Sequence, residues 1–126
     1  MHIILVEPSR TVTKIICDML KENGHEIRPF SDGREALEYL KSDSTVEALI
    51  TAGEPLSISG PQLCAEARTI ANGKRPIYLL LMSASADNNR LINALDLGAD
   101  EFINKPLNRE ELWARLRAAE RSVRQK

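Results

Sequence analysis

The side chains able to do chemistry in this 126-residue chain gather in four short stretches: Glu7–Pro8, Ala52–Gly53–Glu54, Ser83–Ala84 and Lys105–Pro106. An ammonium and a hydroxyl can together hold an anion, and a carboxylate can neutralise the ammonium. For Lys105 the expected state is a structural ion pair with Glu7 or Glu54, because an unpaired charge taken out of water is costly. Ser83 is expected to satisfy a loop amide. His2 and His25 have no partner at catalytic or metal-ligand spacing and read as surface residues. Cys17 and Cys64 are too few for a disulfide framework and lack metal spacing, so free thiols are expected.

Each of the four stretches closes an apolar run. Runs at His2–Val6, Glu26–Phe30, Ala48–Ala52, Ile77–Met82 and Glu101–Asn104 alternate with five helical patterns. The first, third and fourth are nearly continuous in Ile, Leu and Val, as strands covered on both faces must be. In the first helix Val12, Ile15, Ile16, Met19 and Leu20 form one stripe, stopped by Asn23–Gly24. Asp32 with Glu35, Ser59 with Gln62 and Asn108 with Glu111 resemble capping boxes for the second, third and fifth helices. Leu91, Ile92, Ala94 and Leu95 mark the fourth, ended by Gly98. Met19 and Met82 read as core. Strict strand–helix alternation predicts a three-layer, doubly wound α/β fold. Its expected form is a five-stranded parallel sheet in the flavodoxin-like order 2-1-3-4-5, flanked by five helices. Such sheets bind ligands at the carboxyl ends of their strands, which is where the four stretches fall.

Composition narrows the function classes. Seventeen basic against 18 acidic residues give a net charge of −1, without the basic excess of a dedicated nucleic-acid binder. No apolar run approaches the roughly 20 residues of a membrane span, and residues 1–30 lack the pattern of a secretory signal. A cytoplasmic location is expected. Aromatic residues are only 4%, and no phosphate-cradling loop follows the first strand, which disfavours a flavodoxin-type electron carrier.

Several segments together carry a family resemblance. Ile3-Ile4-Leu5-Val6-Glu7, Asp32-Gly33-Arg34-Glu35-Ala36-Leu37, Leu97-Gly98-Ala99-Asp100-Glu101-Phe102, Lys105-Pro106-Leu107 and Glu111-Leu112 occur in this order. In that order and spacing the chain resembles, end to end, the receiver domain of two-component response regulators. Such domains take a phosphoryl group from a histidine kinase onto their own aspartate. The family pattern places an acidic pair after strand one, the acceptor aspartate after strand three, a Ser or Thr after strand four and a Lys after strand five. Mg²⁺ on the carboxylates neutralises the phosphate charge, and the hydroxyl and lysine hold its oxygens.

Carried over residue by residue, the resemblance implies a degenerate site. Glu7 matches the first acid, but Pro8 occupies the second. The acceptor position falls on Ala52, and a shift of register to Thr51 or Gly53 supplies no carboxylate either. Glu54 matches a glutamate common two residues past the acceptor, while Pro55 comes one residue early. Ser83 and Lys105 match the hydroxyl and the lysine, and Phe102 the switch aromatic, with plain core packing as its simpler role. The resemblance therefore implies a pseudo-receiver: a vestigial phosphate pocket of Glu7, Ser83 and Lys105, no catalytic residue, and weak or absent Mg²⁺ binding. The expected role is a signalling module, not an enzyme, that acts by dimerising or by docking an output domain. The alternatives are an anion or small-ligand sensor in the vestigial pocket and a phosphoryl-accepting receiver of unorthodox chemistry.

In the last helix Leu112, Leu116, Ala119 and Val123 are spaced as a heptad seam. They are expected to form a homodimer interface on the face made by helix four, strand five and helix five, with Val123 and half of Ala119 exposed in a lone domain. The run Leu116–Arg121 is similar to linkers that join receivers to diguanylate cyclases. Residues 1–126 thus read as one domain, with about 118–126 as the expected start of a linker to an output domain.

Overall fold

The structure, a computed structural model, describes residues 1–53, 57–83 and 88–124. Glu54, Pro55 and Ala84 lie outside the described residues. The order of elements is β1 (His2–Val6), α1 (Arg10–Glu22), β2 (Glu26–Phe30), α2 (Gly33–Ser42), β3 (Ala48–Ala52), α3 (Gly60–Ala71), β4 (Tyr78–Ser83), α4 (Asn88–Leu97), β5 (Glu101–Asn104) and α5 (Arg109–Arg124). The strands form one parallel sheet in the order β2-β1-β3-β4-β5. β4 starts and ends one residue later than the apolar run suggests, so Ser83 closes the strand instead of following it.

Strand alternation builds two cores. Ile4, Val6, Leu49, Leu79 and Leu81 pack with Leu37, Leu40, Leu63, Cys64 and Ala67 of α2 and α3. Ile3, Leu5, Ile50, Ala52, Leu80 and Met82 pack with Ile16 and Leu20 of α1 and Leu112 and Leu116 of α5. Cys17 and Cys64 fall on opposite faces of the sheet, and both are free thiols. Burial pushes the Cys64 thiol up to about 12, so it is an inert core group.

Local chemistry sets the helix ends. The side chains of Ser9, Asp32, Ser59 and Asn108 accept from Val12, Arg34, Gln62 and Glu111 N–H groups respectively. α3 begins tight against the sheet: a Cβ at Gly60 would lie 2.5 Å from Leu81 Cδ1 and 2.6 Å from the Ala52 carbonyl. Only glycine fits there, and its N–H donates to Gly53 O at 2.8 Å.

Two expectations are corrected. The seam Leu112, Leu116, Ala119 and Val123 is not left partly exposed in the single chain, as Val123 and half of Ala119 were expected to be: its residues are 0%, 0%, 0% and 6% exposed. A heptad seam and the core stripe of a single amphipathic helix coincide over so few turns, and here the stripe faces the helix's own sheet. α5 stays docked to its end, where Arg124 pairs with Glu47 at 2.9 Å. His25 is also not a surface residue. It is buried where the chain turns from α1 into β2, and its Nδ1 accepts from the N-terminal ammonium of Met1 at 2.9 Å. Burial first, and that ammonium second, hold its pKa below the usual histidine value. Among the described residues no helix is long and apolar enough to cross a membrane.

Candidate functional site

The carboxyl ends of β1, β3 and β4 bring Glu7, Ala52 and Ser83 to one edge of the sheet, and Lys105 follows β5 to the same edge. Glu7 is only 3% exposed, yet it carries a charge, so its carboxylate must be satisfied from within. It is: Oε1 accepts from Lys105 Nζ at 2.7 Å, and Oε2 accepts from the Ser9 N–H at 3.0 Å. Ser9 also caps α1, so the residue that starts the helix orients the carboxylate too. Thr13 Oγ1 donates to the Glu7 carbonyl at 3.3 Å.

Topology explains the reach of Lys105. β1 and β5 are separated by β3 and β4, or about 14 Å at ordinary strand spacing. The Lys105 N–H donates to Ser83 O at 2.8 Å, which pins its backbone beside β4, and the Lys105–Pro106 peptide is cis. From there the side chain extends across the end of β3 to Glu7. The residue on that end is Ala52, whose methyl is buried in the core beneath α1 and α5. Thr51 points the other way, and its hydroxyl donates to Ala52 O at 3.0 Å. The ammonium thus finds its carboxylate on β1 and none on β3. Pro8, exposed beside Glu7, adds no carboxylate. Among the described residues no cluster of His, Cys, Asp and Glu could hold a metal ion.

Phe102 is half-buried on β5, packed on the core beneath α2 to α4. It lines a cavity of about 140 Å³ with Gly53, Ser59, Pro61, Leu81, Ser83 and Asn93. Ser83 and Phe102 therefore face one space, while Glu7 and Lys105 share a different contact. The sequence reading missed Ser9 as the second donor to Glu7. Its signal was present, a serine just before the α1 stripe, but the capping role was read only for later helices.

The family model for "Response regulator receiver domain" matches residues 3–117. Response regulator MprA of Mycolicibacterium vanbaalenii is 30% identical over 117 residues, 93% of this chain and 49% of that protein. Response regulator RppA of a Synechocystis strain is 32% identical over 122 residues, 96% of this chain and 51% of that protein. The chain spans about half the length of these relatives. A two-component response regulator from Clostridium difficile has the same fold, with a TM-score of 0.89 at 22% identity over 98% of both chains. Order of strands and matched span agree, and the chain belongs to the response regulator receiver domain family of two-component signalling.

Proposed function

We propose that this receiver does not take up a phosphoryl group at its strand-three position and works as a regulatory module that contacts other proteins. The observation that carries the reading is Ala52 at the end of β3, its methyl buried in the core, together with a Lys105–Glu7 pair 2.7 Å long. An alanine has no nucleophile, and the lysine that would steady a phosphoryl oxygen is already neutralised. Mg²⁺ binding is weak on this reading, because Pro8 and Ala52 remove two of the three carboxylates and the third is occupied by an ammonium. The test is intact-mass measurement after incubation with acetyl phosphate and Mg²⁺. No stoichiometric phosphoryl adduct is expected, and one would overturn the reading. Calorimetry should find no saturable Mg²⁺ site below millimolar levels, and Ala52→Asp alone should not create a tight one.

The contact surface we assign is the face made by α4, β5 and α5, used for constitutive self-association or for docking an output domain, a diguanylate cyclase among the candidates. With the α5 stripe buried, the apolar part of this face comes from α4, where Ile92 is 57% and Leu95 43% exposed. They are three residues apart and share one side of the helix.

A further inference from the structure

A second cavity lies between α1 and the end of β2. It measures about 230 Å³ and is lined by Glu7, Pro8, Arg10, Thr13, Lys14, Pro29, Phe30 and Ser31. Its lining is mostly apolar, with Pro8 and Pro29 on it; Phe30 borders it at the end of β2, its ring packed on Tyr39 at 5.6 Å in the core beneath α2. Its charged rim comes from α1. Arg10, Thr13 and Lys14 are three and four residues apart, so they share one side of the helix. Arg10 has no ion-pair partner among the described residues. Lys14 is 79% exposed and meets only Asp18 within its own helix, at 3.3 Å, a surface pair that is easily exchanged. The one acid in the wall, Glu7, has both oxygens engaged by Lys105 and Ser9. The first turn of α1 holds no acidic side chain.

We propose that this cavity binds a small organic anion: a flat apolar or aromatic body against Pro8 and Pro29, with a carboxylate or phosphate between Arg10 and Lys14. The combination excludes the alternatives by charge and by polarity. A cation meets two positive side chains, and a sugar or polyol finds few hydrogen-bond partners on an apolar floor. The volume suits a ligand of one ring and not a dinucleotide. Pro8 is what makes the floor apolar: an acidic residue there would set a second carboxylate beside Glu7 and repel the anion. The site is separate from Ser83 and Phe102 and requires no phosphoryl chemistry, so it stands or falls independently of the proposed function.

The experiment is an NMR titration of the whole domain with phenyl phosphate, alongside inorganic phosphate, benzyl alcohol and benzylamine. Phenyl phosphate should shift the amides of Thr13, Phe30 and Ser31 saturably. Inorganic phosphate and benzyl alcohol should each bind at least about tenfold more weakly, since each keeps one half of the recognition. Benzylamine should not bind. Arg10→Glu with Lys14→Glu should abolish the shifts, and Pro8→Asp should weaken binding by about tenfold or more. These positions are exposed, so the variants should retain the parent's amide spectrum elsewhere; Arg10→Gln with Lys14→Gln gives the same loss by a milder route. No saturable shift at these residues overturns the proposal. So does a shift centred on Lys105 and Ser83, equal affinity for inorganic phosphate, or binding that survives both pairs of α1 variants.

Discussion

α4 and α5 flank the edge strand β5 and carry similar apolar stripes, but the fold uses them in opposite ways. α5 buries Leu112, Leu116, Ala119 and Val123, the first two in the core against the sheet. α4 buries Ala94 and leaves Ile92, Leu95 and Leu97 exposed at 57%, 43% and 38%. Outer-face polar chemistry follows the same division. Arg115 on α5 reaches Glu101 of β5 at 2.7 Å, and the Trp113 indole donates to the Met19 carbonyl of α1 at 2.8 Å. α4 is instead held from its end. Arg68 of α3 donates to Gly98 O at 2.8 Å in the turn after α4, to Ile77 O at 3.1 Å before β4, and pairs with Asp100 at 2.6 Å. The difference teaches that α5 belongs to the scaffold, whereas α4 leaves Ile92, Leu95 and Leu97 exposed among its described side chains.

The largest expected effect tests α5. Leu116→Ala should cost about 2–5 kcal/mol of unfolding free energy, the usual range for a truncated core leucine, measured by urea denaturation. A cost under about 0.5 kcal/mol, typical of a surface position, would mean that the stripe does not face the sheet. The next tests the end anchor. Arg68→Ala removes two bonds to carbonyls and one ion pair from a partly exposed guanidinium, and should cost about 1–3 kcal/mol. Amide exchange should rise most around Gly98–Asp100. Uniform loss across the chain would show instead that α4 has no separate hold.

A smaller stability effect with a larger functional one is expected on the outer side of α4. Ile92→Glu with Leu95→Glu should change stability by no more than about 0.5 kcal/mol, as surface substitutions do. The same double variant should stay monomeric in sedimentation equilibrium at concentrations where the parent associates. A parent that remains monomeric at high micromolar concentration, or a variant that associates equally well, would remove α4 from the proposed contact.

These contrasts also mark how far the sequence could be read. All five strands and helices were legible, because continuous Ile, Leu and Val runs and 3.6-residue stripes are local signals. So was the pairing of Lys105 with an acid, of which the structure shows Glu7. The α5 stripe was legible as apolar and illegible as to what it covers. His25 was misplaced because its burial comes from the fold around the start of β1, which no spacing encodes. Arg68 and Arg75 gave no signal at all. Their guanidinium groups cap carbonyls far along the chain, Arg75 on Leu40 O and Asp43 O at 2.8 Å each, and only the tertiary fold brings those atoms within reach.

The smallest effect expected appears only in alkali and sharpens the account of how α5 is tied to the sheet edge. Tyr78 at the start of β4 donates its hydroxyl to Glu101 Oε2 at 3.1 Å, and Arg115 of α5 holds the other oxygen of the same carboxylate. Burial first, and the negative charge of Glu101 second, push the Tyr78 phenol up to about 12. The hydroxyl of the other tyrosine, Tyr39, is also raised, chiefly by its bond to Asp43. A phenol whose folded pKa is raised favours folding at every pH below its unfolded value of 10.0, and that contribution is lost as pH rises through 10 toward 12. Neutral and acid stability should therefore be untouched by this linkage. In a titration followed by phenolate absorbance and far-UV circular dichroism, Tyr78 should not ionise at pH 10, and its ionisation should accompany loss of the native spectrum. Tyr78→Phe should flatten the alkaline limb of the stability profile. A tyrosine-sized absorbance step centred at pH 10 in the still-folded Tyr39→Phe variant would show that Tyr78 is neither buried nor joined to Glu101, and the tie from β4 through β5 to Arg115 would fall with it.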